Sequence, residues 1–318
     1  MSQVLDTTTE QTTAAAHPAP QRPARGTGWR RRIPLLPALI FTIALTQVPF
    51  LVTLVVSLMN WNPLFPNEIG FAWFANYITV FTNPTLLSSV LASLVITVSV
   101  VLISLVLGLG IALLLNQRFA GRGIVRTMII APFLFVPVAA ALLWKHLLLN
   151  PSYGLINGVI AWLGNLVGVQ VQGPSWVTDF PIASIVVVLV WQWTPFMTLI
   201  ILAGLQSQPG DVIEAARVDG AGGWRIFRYI TIPHVRRYLE LSTLLGSIYV
   251  FQNFDAVFTL TAGAFGTANL PYTIYRTFFQ AQDYGVGSAM GVVTVAGTIL
   301  IMSLFLRSLT SLSEENVR

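Results

Sequence analysis

Cysteine is absent from the 318 residues, and charged residues account for only 9% of them. Without cysteine the chain forms no disulfide, no cysteine-ligated zinc site and no thiol nucleophile. Hydrophobic residues make up 55% of the sequence and its mean hydropathy is +0.74, well above the range of ordinary soluble domains. The composition therefore predicts an integral membrane protein.

Lysine is nearly absent as well. Lys145 is the sole lysine, and it lies in the apolar run LLWKHLL. A Walker-type phosphate loop needs glycines and a lysine that reaches the phosphates, so this chain cannot supply its own ATP site. The three histidines, His17, His146 and His234, form no metal-ligand or catalytic-triad pattern. We therefore expect no enzyme active site, no metal site and no cofactor bound by this chain.

Six apolar segments are each long enough to cross a hydrocarbon core of about 30 Å. They are residues 35–59, 86–115, 127–149, 181–205, 238–262 and 286–306. The first exceeds the apolar region of a secretory signal and is followed by no convincing cleavage site, so it is predicted to be a retained helix. The sequence thus predicts an all-α, polytopic membrane protein with six transmembrane helices.

Positive charge is distributed unevenly along the chain. Of the 17 Lys and Arg residues, 15 lie before the first segment, in the second or fourth connection, or after the last segment. Only Lys145 and Arg276 lie elsewhere. Because Lys and Arg are enriched in cytoplasmic loops, both termini and the loop 206–237 are predicted to be cytoplasmic. The same pattern accounts for the net charge of +5 without a nucleic-acid partner.

The chain is predicted to contain one membrane domain with short extensions. Residues 1–32 are rich in Thr, Ala, Pro and Gln and cannot bury a core, so a disordered cytoplasmic arm is expected there. The six-helix domain covers residues 33–310, and residues 311–318 form a cytoplasmic tail.

The loop 206–237 is a polar, arginine-bearing segment between two apolar runs. Asp211 precedes Glu214 by three residues, which is the spacing of a capping box, so a short helix is predicted to begin at Asp211. The helix is predicted to end near Gly220.

Four residues at helical spacing give this short helix a thin face with small residues, which lets another surface approach closely. They are Val212, Ala215, Ala216 and Asp219. After it, Trp224–Ile230 alternates arginine with apolar residues, which predicts an amphipathic segment on the membrane surface. From these features alone, a docking element and a charged connector are both open interpretations.

The run Asp211–Pro233 resembles the EAA loop of the membrane subunits of ABC importers, which docks onto the ATP-hydrolysing subunit. The residues that carry the resemblance are Glu214, Ala215, Ala216, Asp219, Gly220, Ala221, Phe227, Ile230, Ile232 and Pro233. In that family the loop forms a coupling helix seated in a groove of the ATPase. The resemblance implies that Glu214 faces the ATPase, that Asp219 and Gly220 take part in coupling, and that Pro233 begins the fifth helix.

The resemblance extends over most of residues 35–310. The stretches NPSYGLIN at 150–157, WQWTPFMTLIILAGLQSQP at 191–209 and FQNFDAVFTLTAG at 251–263 look like the carbohydrate branch of the family, which includes maltose, trehalose, glycerol-phosphate and oligosaccharide importers. This implies the type I ABC importer permease fold in a bacterial inner membrane, with a di- or oligosaccharide or a related polyol as substrate. It also implies a second, homologous membrane subunit, a dimeric ATPase that binds ATP-Mg, and an extracytoplasmic solute-binding protein.

Sugars bind to aromatic faces and to hydrogen-bonding side chains, and two segments of this sequence offer both. The first contains Trp191, Gln192 and Trp193, followed by Pro195, which is predicted to interrupt the helix and free backbone carbonyls. The second runs from Tyr249 to Asp255 and is predicted to lie within the fifth helix.

The resemblance also suggests which residues line a sugar path. Positions that match sugar contacts of the maltose importer are Phe133, Val138, Trp193, Tyr249, Val250 and Asn253. Val138 and Val250 replace polar residues, which puts maltose itself in doubt. Asn253 and Asp255 are costly inside a membrane and favour a cavity or a partner. Ordinary helix packing stays an alternative for the aromatic residues, and structural pairing stays one for Asp255.

A secondary carrier or channel that works alone is the alternative from another class. Such a protein normally uses intramembrane carboxylates, of which Asp255 is the one clear case in this sequence.

Overall fold

The computed structural model describes residues 33–315, with side chains described from 34 to 300. The predicted arm, 1–32, and the last three residues of the predicted tail lie outside this range. The chain divides into two compact units, residues 1–50 and 51–318. In the first, the described residues form a 3-10 turn, Ile33–Leu35, and the beginning of an apolar helix. The features below belong to the second unit unless stated otherwise.

The described chain is helical almost throughout. The helices are α1 (Leu36–Ser57), α2 (Ala75–Thr82), α3 (Pro84–Asn116), α4 (Arg122–Leu134), α5 (Pro137–Leu143), α6 (Leu155–Leu166), α7 (Trp176–Asp179), α8 (Pro181–Gln206), α9 (Gly210–Val218), α10 (Gly223–Ile226), α11 (Ile232–Phe251), α12 (Asp255–Leu260), α13 (Leu270–Tyr275) and α14 (Tyr284–Glu315). A further 3-10 turn covers Pro66–Glu68, and π turns cover Trp144–Leu148, Phe227–Thr231 and Arg276–Gln280. Two short strands, β1 (Met59–Asn60) and β2 (Gly70–Phe71), pair antiparallel, with Met59 opposite Phe71.

Within the described range, three helices are long and apolar enough to cross a membrane, namely α1, α3 and α8. The count becomes four if α4 and the segment Pro137–Leu148, which meet at a bend of 100°, form one span. Helix α11, which contains the beginning of the fifth predicted segment, is not among them because its first turns carry Arg236, Arg237 and Glu240. The all-α membrane architecture is thus confirmed, while the count of six spans stays a prediction.

Helices α3, α8 and α11 pack together at the centre of the second unit. Gly108 of α3 lies so close to α8 that an added Cβ would come within 3.2 Å of the backbone nitrogen of Thr198. Around this contact, fully buried aliphatic side chains from all three helices form a continuous core, including Leu115, Ile201 and Val235. Within a bilayer such helices are held together by close van der Waals packing rather than by removal of apolar surface from water.

The predicted third span, 127–149, is not one straight helix. It divides at Phe135 and Val136, whose backbones are extended, and α5 begins at Pro137. The physical reason is that a proline disfavours helical geometry in the residue before it, here Val136. The break frees backbone carbonyls that a continuous helix would have used.

Two further expectations about helix continuity were wrong. The predicted fifth span, 238–262, ends at Phe251, and a short break precedes α12. Conversely, Pro195 does not interrupt α8, which runs unbroken from Pro181 to Gln206. Pro195 is buried, and the hydroxyl of Thr198 donates to the carbonyl of Thr194 at 2.8 Å. The helix α8 therefore continues past the single missing N–H donor of Pro195, with neighbouring helices packed around it.

Candidate functional site

The helix of the polar loop, α9, begins one residue earlier than expected. Its N-cap is Pro209, with extended backbone, and Gly210 is its first residue. Asp211 consequently lies inside the first turn, where it cannot act as an N-cap, so the predicted capping box between Asp211 and Glu214 is wrong. The carboxylate of Asp211 still lies near the positive end of the helix dipole, which favours it.

The other end of α9 is fixed by backbone geometry, and it lies where the sequence predicts. Gly220 has a φ of +78°, its N–H donates to the carbonyl of Arg217 at 3.0 Å, and the N–H of Ala221 donates to Ala216 at 2.9 Å. This pair of hydrogen bonds is a Schellman motif, which requires the left-handed conformation that glycine adopts without strain.

Helix α9 presents its side chains outward. None of its residues is buried, and Val218 is 87% exposed. Of the residues predicted to couple to an ATPase, Glu214, Ala215, Asp219, Gly220 and Pro233 are exposed, whereas Ala216, Ala221 and Phe227 are half-buried. A helix with an exposed valine and an exposed carboxylate side by side is suited to docking on a second protein.

The segment after α9 has one buried aliphatic side chain and two exposed aromatic rings. Ile226 is buried, whereas Trp224 and Tyr229 are each 71% exposed. The ring of Trp224 lies 5.5 Å from that of Phe227. The α10 turn and the π turn after it direct Ile226 to the interior, whereas Trp224 stays at the surface of the chain. Location on a membrane surface stays a prediction.

Four aromatic rings from α4, α8 and α11 form an aromatic cluster, which consists of Phe133, Trp193, Phe196 and Tyr249. Trp193 and Tyr249 stack with their centroids 5.3 Å apart and an angle of 20° between the rings. Phe133 stacks on Phe196, also at 5.3 Å. Tyr249 is 52% exposed, and Phe133, Trp193 and Phe196 are half-buried, so one side of the cluster is accessible.

Phe196 was not among the predicted site residues. It lies three positions after Trp193, which places both rings on one face of α8. That spacing was the signal in the sequence that could have identified it.

The structure separates Trp191 and Gln192 from the aromatic cluster. The ring of Trp191 lies 5.7 Å from Phe135 and 5.9 Å from Trp144. Gln192 is buried, and its Nε2 donates to the carbonyl of Phe135 at 3.2 Å. Gln192 therefore satisfies one of the carbonyls that the break between α4 and α5 frees. A substrate-path role for these two residues stays a prediction that this geometry does not favour.

Asn253 and Asp255 lie at the break after α11 rather than within a continuous helix. The Oδ1 of Asn253 accepts the N–H of Ala256 at 3.2 Å, and its backbone carbonyl accepts from Asn269. Asp255 is the first residue of α12 and is half-buried. The N-terminal end of a helix favours a carboxylate. Local backbone structure thus accounts for both polar residues without a ligand.

The two valines that match polar sugar contacts have different environments. Val250 is only 1% exposed and belongs to the core, whereas Val138 is 41% exposed. Only the position of Val138 is open to a ligand.

Two cavities are lined by residues other than the four rings of the aromatic cluster. An apolar cavity of about 410 Å³ lies between α3, α4 and α8, and its lining includes Trp144, Trp191 and Thr194. A more polar cavity of about 560 Å³ is formed by the NPSYGLIN stretch and residues 171–175. At its base Asn157 accepts from the Nε1 of Trp176 at 2.7 Å and donates to the carbonyls of Pro151 and Pro174.

Residues 104–312 match the family described as the inner membrane component of binding-protein-dependent transport systems. The chain belongs to this family. It is a component of a transport system rather than an enzyme.

Two curated permeases and one solved structure are similar to this inner membrane component. The trehalose/maltose transport system permease protein MalF of Thermococcus litoralis is 33% identical over 273 residues, which cover 85% of this chain and 88% of the relative. The trehalose transport system permease protein SugA of Mycobacterium tuberculosis is 30% identical over 271 residues, 85% of each chain. A chain of a bacterial alginate ABC transporter, solved with an alginate pentasaccharide-bound periplasmic protein, has a TM-score of 0.73 at 21% identity and covers 87% of this chain and 92% of that one.

Family membership confirms the permease fold and the transport role that the resemblance implied. The roles of individual residues in this inner membrane component stay predictions, both in the loop and in the aromatic cluster. The geometry nevertheless sets two regions apart, namely an exposed helix suited to docking and a partly accessible group of aromatic rings.

Proposed function

We propose that the chain is a permease subunit of an ABC importer that moves a sugar, a di- or oligosaccharide or a related polyol, across a bacterial inner membrane. A binding protein delivers the sugar from outside, and a dimeric ATPase that binds ATP-Mg drives transport. A second, homologous permease subunit completes the membrane pathway. Both termini and α9 face the cytoplasm in this arrangement.

The observation that carries the proposal is the placement of two regions on one pair of helices. Helices α8 and α11 are joined by the segment that contains α9, and they contribute three of the four rings of the aromatic cluster. A partner that moves α9 therefore acts on the helices that present Trp193 and Tyr249. Aromatic faces stack on the C–H surfaces of sugars, which supports a sugar as the substrate.

In the proposed cycle, ATP binding closes the ATPase dimer and displaces α9. The two permease subunits then exchange an inward-open for an outward-open cavity, as in alternating access. The chemistry of ATP hydrolysis takes place on the partner, because this sequence contains no phosphate-binding loop.

The test is to purify the tagged chain from its native membrane and identify its companions by mass spectrometry. We expect an ATPase with Walker motifs and a second permease subunit, and ATP-dependent uptake of trehalose after reconstitution with the binding protein. Recovery of the chain alone, with ion-driven transport in vesicles that lack ATP, would overturn the proposal in favour of the stand-alone carrier.

A further inference from the structure

Three polar side chains link the two ends of the segment that contains α9. Ser207 caps the end of α8, and its Oγ lies 3.1 Å from the Nε2 of His234 and 3.2 Å from the hydroxyl of Tyr238. His234 and Tyr238 belong to the first two turns of α11. We call Ser207, His234 and Tyr238 the loop brace.

The hydrogen bonds of the loop brace have one consistent arrangement. A serine hydroxyl has one proton to donate and two lone pairs that accept. The Oγ of Ser207 donates to the carbonyl of Gly204 at 2.9 Å, so it accepts from both Tyr238 and His234. His234 therefore carries a proton on Nε2.

Close packing supports the same contact. A Cβ added to Gly204 would lie 2.5 Å from the ring of Tyr238, so the ring rests directly on the backbone of α8. One turn away, Val235 is fully buried in the core with Ile201 and Leu205 of α8. The end of α8 and the beginning of α11 are therefore held together by packing as well as by hydrogen bonds.

The loop brace has a mechanical consequence for α9. If the two ends of the segment between α8 and α11 could separate, a force applied to α9 would bend the segment. Because the two ends are joined, the same force moves α8 and α11 together. These helices carry Trp193 and Tyr249, whose rings stack at 5.3 Å.

We propose that Ser207, His234 and Tyr238 are positioning residues that make α8, α9 and α11 move as one body, so that displacement of α9 reaches the aromatic cluster. This inference rests on the proposed function, since it assumes that a partner displaces α9. None of the three residues belongs to the motif that carries the resemblance to the EAA loop, and none was singled out for coupling from the sequence.

The first experiment measures trehalose moved per ATP hydrolysed by the complete transporter in proteoliposomes. Ser207→Ala removes the shared oxygen, and we expect it to lower this ratio about fivefold to tenfold while ATP hydrolysis continues. Tyr238→Phe keeps the ring on Gly204 and loses only one hydrogen bond, so a smaller loss is expected. The matched control is Ser247→Ala, since among the described residues Ser247 bonds only the carbonyl of Thr243 within α11, at 2.7 Å.

A conservative substitution distinguishes positioning from general packing. His234→Gln retains an N–H donor and should keep most of the ratio, whereas His234→Leu of similar size should lose it. Equal ratios in these two variants would overturn the role of His234.

A second readout does not depend on the identity of the sugar. Because the chain lacks cysteine, spin labels can be placed at Val218→Cys on α9 and Val187→Cys on α8, both of which are exposed. In the complete transporter, we expect Ser207→Ala to broaden the distribution of distances between the labels and Ser247→Ala to leave it unchanged. An unchanged distribution together with a normal transport ratio in Ser207→Ala would overturn the loop brace.

The failure of this inference is distinguishable from failure of the proposed function. If the chain assembles with no ATPase, the proposed function fails and the brace fails with it. If the transporter assembles and Glu214→Ala impairs transport while Ser207→Ala does not, only the brace is overturned.

Discussion

The two ends of the α8–α11 pair differ in how their side chains are used. At the α9 end, the helix buries none of its own residues and is terminated by backbone hydrogen bonds around Gly220. Farther along the pair, at the middle of α8 and the last turn of α11, Trp193 and Tyr249 pack ring against ring and leave one side accessible. The first arrangement is suited to contact with another protein, and the second is suited to contact with a small ligand.

This difference predicts that damage at the α9 end uncouples the transporter, whereas damage at the aromatic end changes its affinity for substrate. The predictions below are arranged by the size of the expected effect, and each pairs a variant with a close neighbour as a control.

The largest effect is expected for Gly220→Val. Because Gly220 has a φ of +78°, a β-branched residue there is strained and disrupts the end of α9. We expect transport by the reconstituted complex to fall about 100-fold. Gly222→Val is the matched control, since Gly222 has a φ of −69° and open space around its Cα. Equal losses in both variants would mean that the conformation of Gly220 is not what matters.

The second-largest effect is expected for Glu214→Ala, which should lower transport about tenfold without changing thermal stability. Glu214 is exposed, so its removal leaves the fold intact. Asp211→Ala, on the same helix and also exposed, serves as the control and should retain most of the activity. Full uptake in Glu214→Ala would remove the coupling assignment from this residue.

At the aromatic end, two tryptophans of α8 provide a matched pair. Trp193→Ala removes a ring of the aromatic cluster and should raise the KM for the delivered sugar about threefold to tenfold. Trp191→Ala removes a ring that contacts Phe135 and Trp144, so it should lower stability and leave KM nearly unchanged. The same shift in KM for both variants would contradict the separation of the two tryptophans.

The smallest functional effect is expected for Gln192→Leu. The carbonyl of Phe135 would lose its donor, which should cost about 1–3 kcal/mol of stability and lower the thermal unfolding temperature of the purified chain. Thr194→Val is the control, since the buried hydroxyl of Thr194 has no hydrogen-bond partner among the described residues. That variant should be neutral or slightly stabilising, and greater destabilisation by Thr194→Val than by Gln192→Leu would contradict this account.

The sequence predicted features that depend on single residues or on long apolar runs. Gly220 ends α9 because a left-handed residue favours glycine, and the run 181–205 forms α8 because its apolar residues cover every face. The break before Pro137 was missed, although that proline restricts Val136, because the apolar run continues across it.

Features that depend on tertiary contacts were not predictable from local pattern. Pro195 does not break α8, because neighbouring helices pack around it. Asp211 is not the N-cap of α9, because the helix begins at Gly210 with Pro209 as its N-cap. Trp191 and Trp193 point to different sides of α8 because they are two residues apart, which the spacing predicts, but their neighbours depend on how α8 packs against α4 and α11. Only the packing of those helices decides which ring meets which neighbour.

The hydrogen bond made by the sole lysine has a consequence for the order in which segments of the chain settle in the membrane. The Nζ of Lys145 donates to the carbonyl of Thr259 at 2.6 Å, across 114 residues of sequence. At about 5–20 residues per second, roughly 6–23 s of synthesis separate the ammonium from its acceptor. During that interval a cation amid apolar residues is costly in a bilayer. We therefore expect the segment around Lys145 to settle in the membrane only after α12 has been made, as a late step of biogenesis.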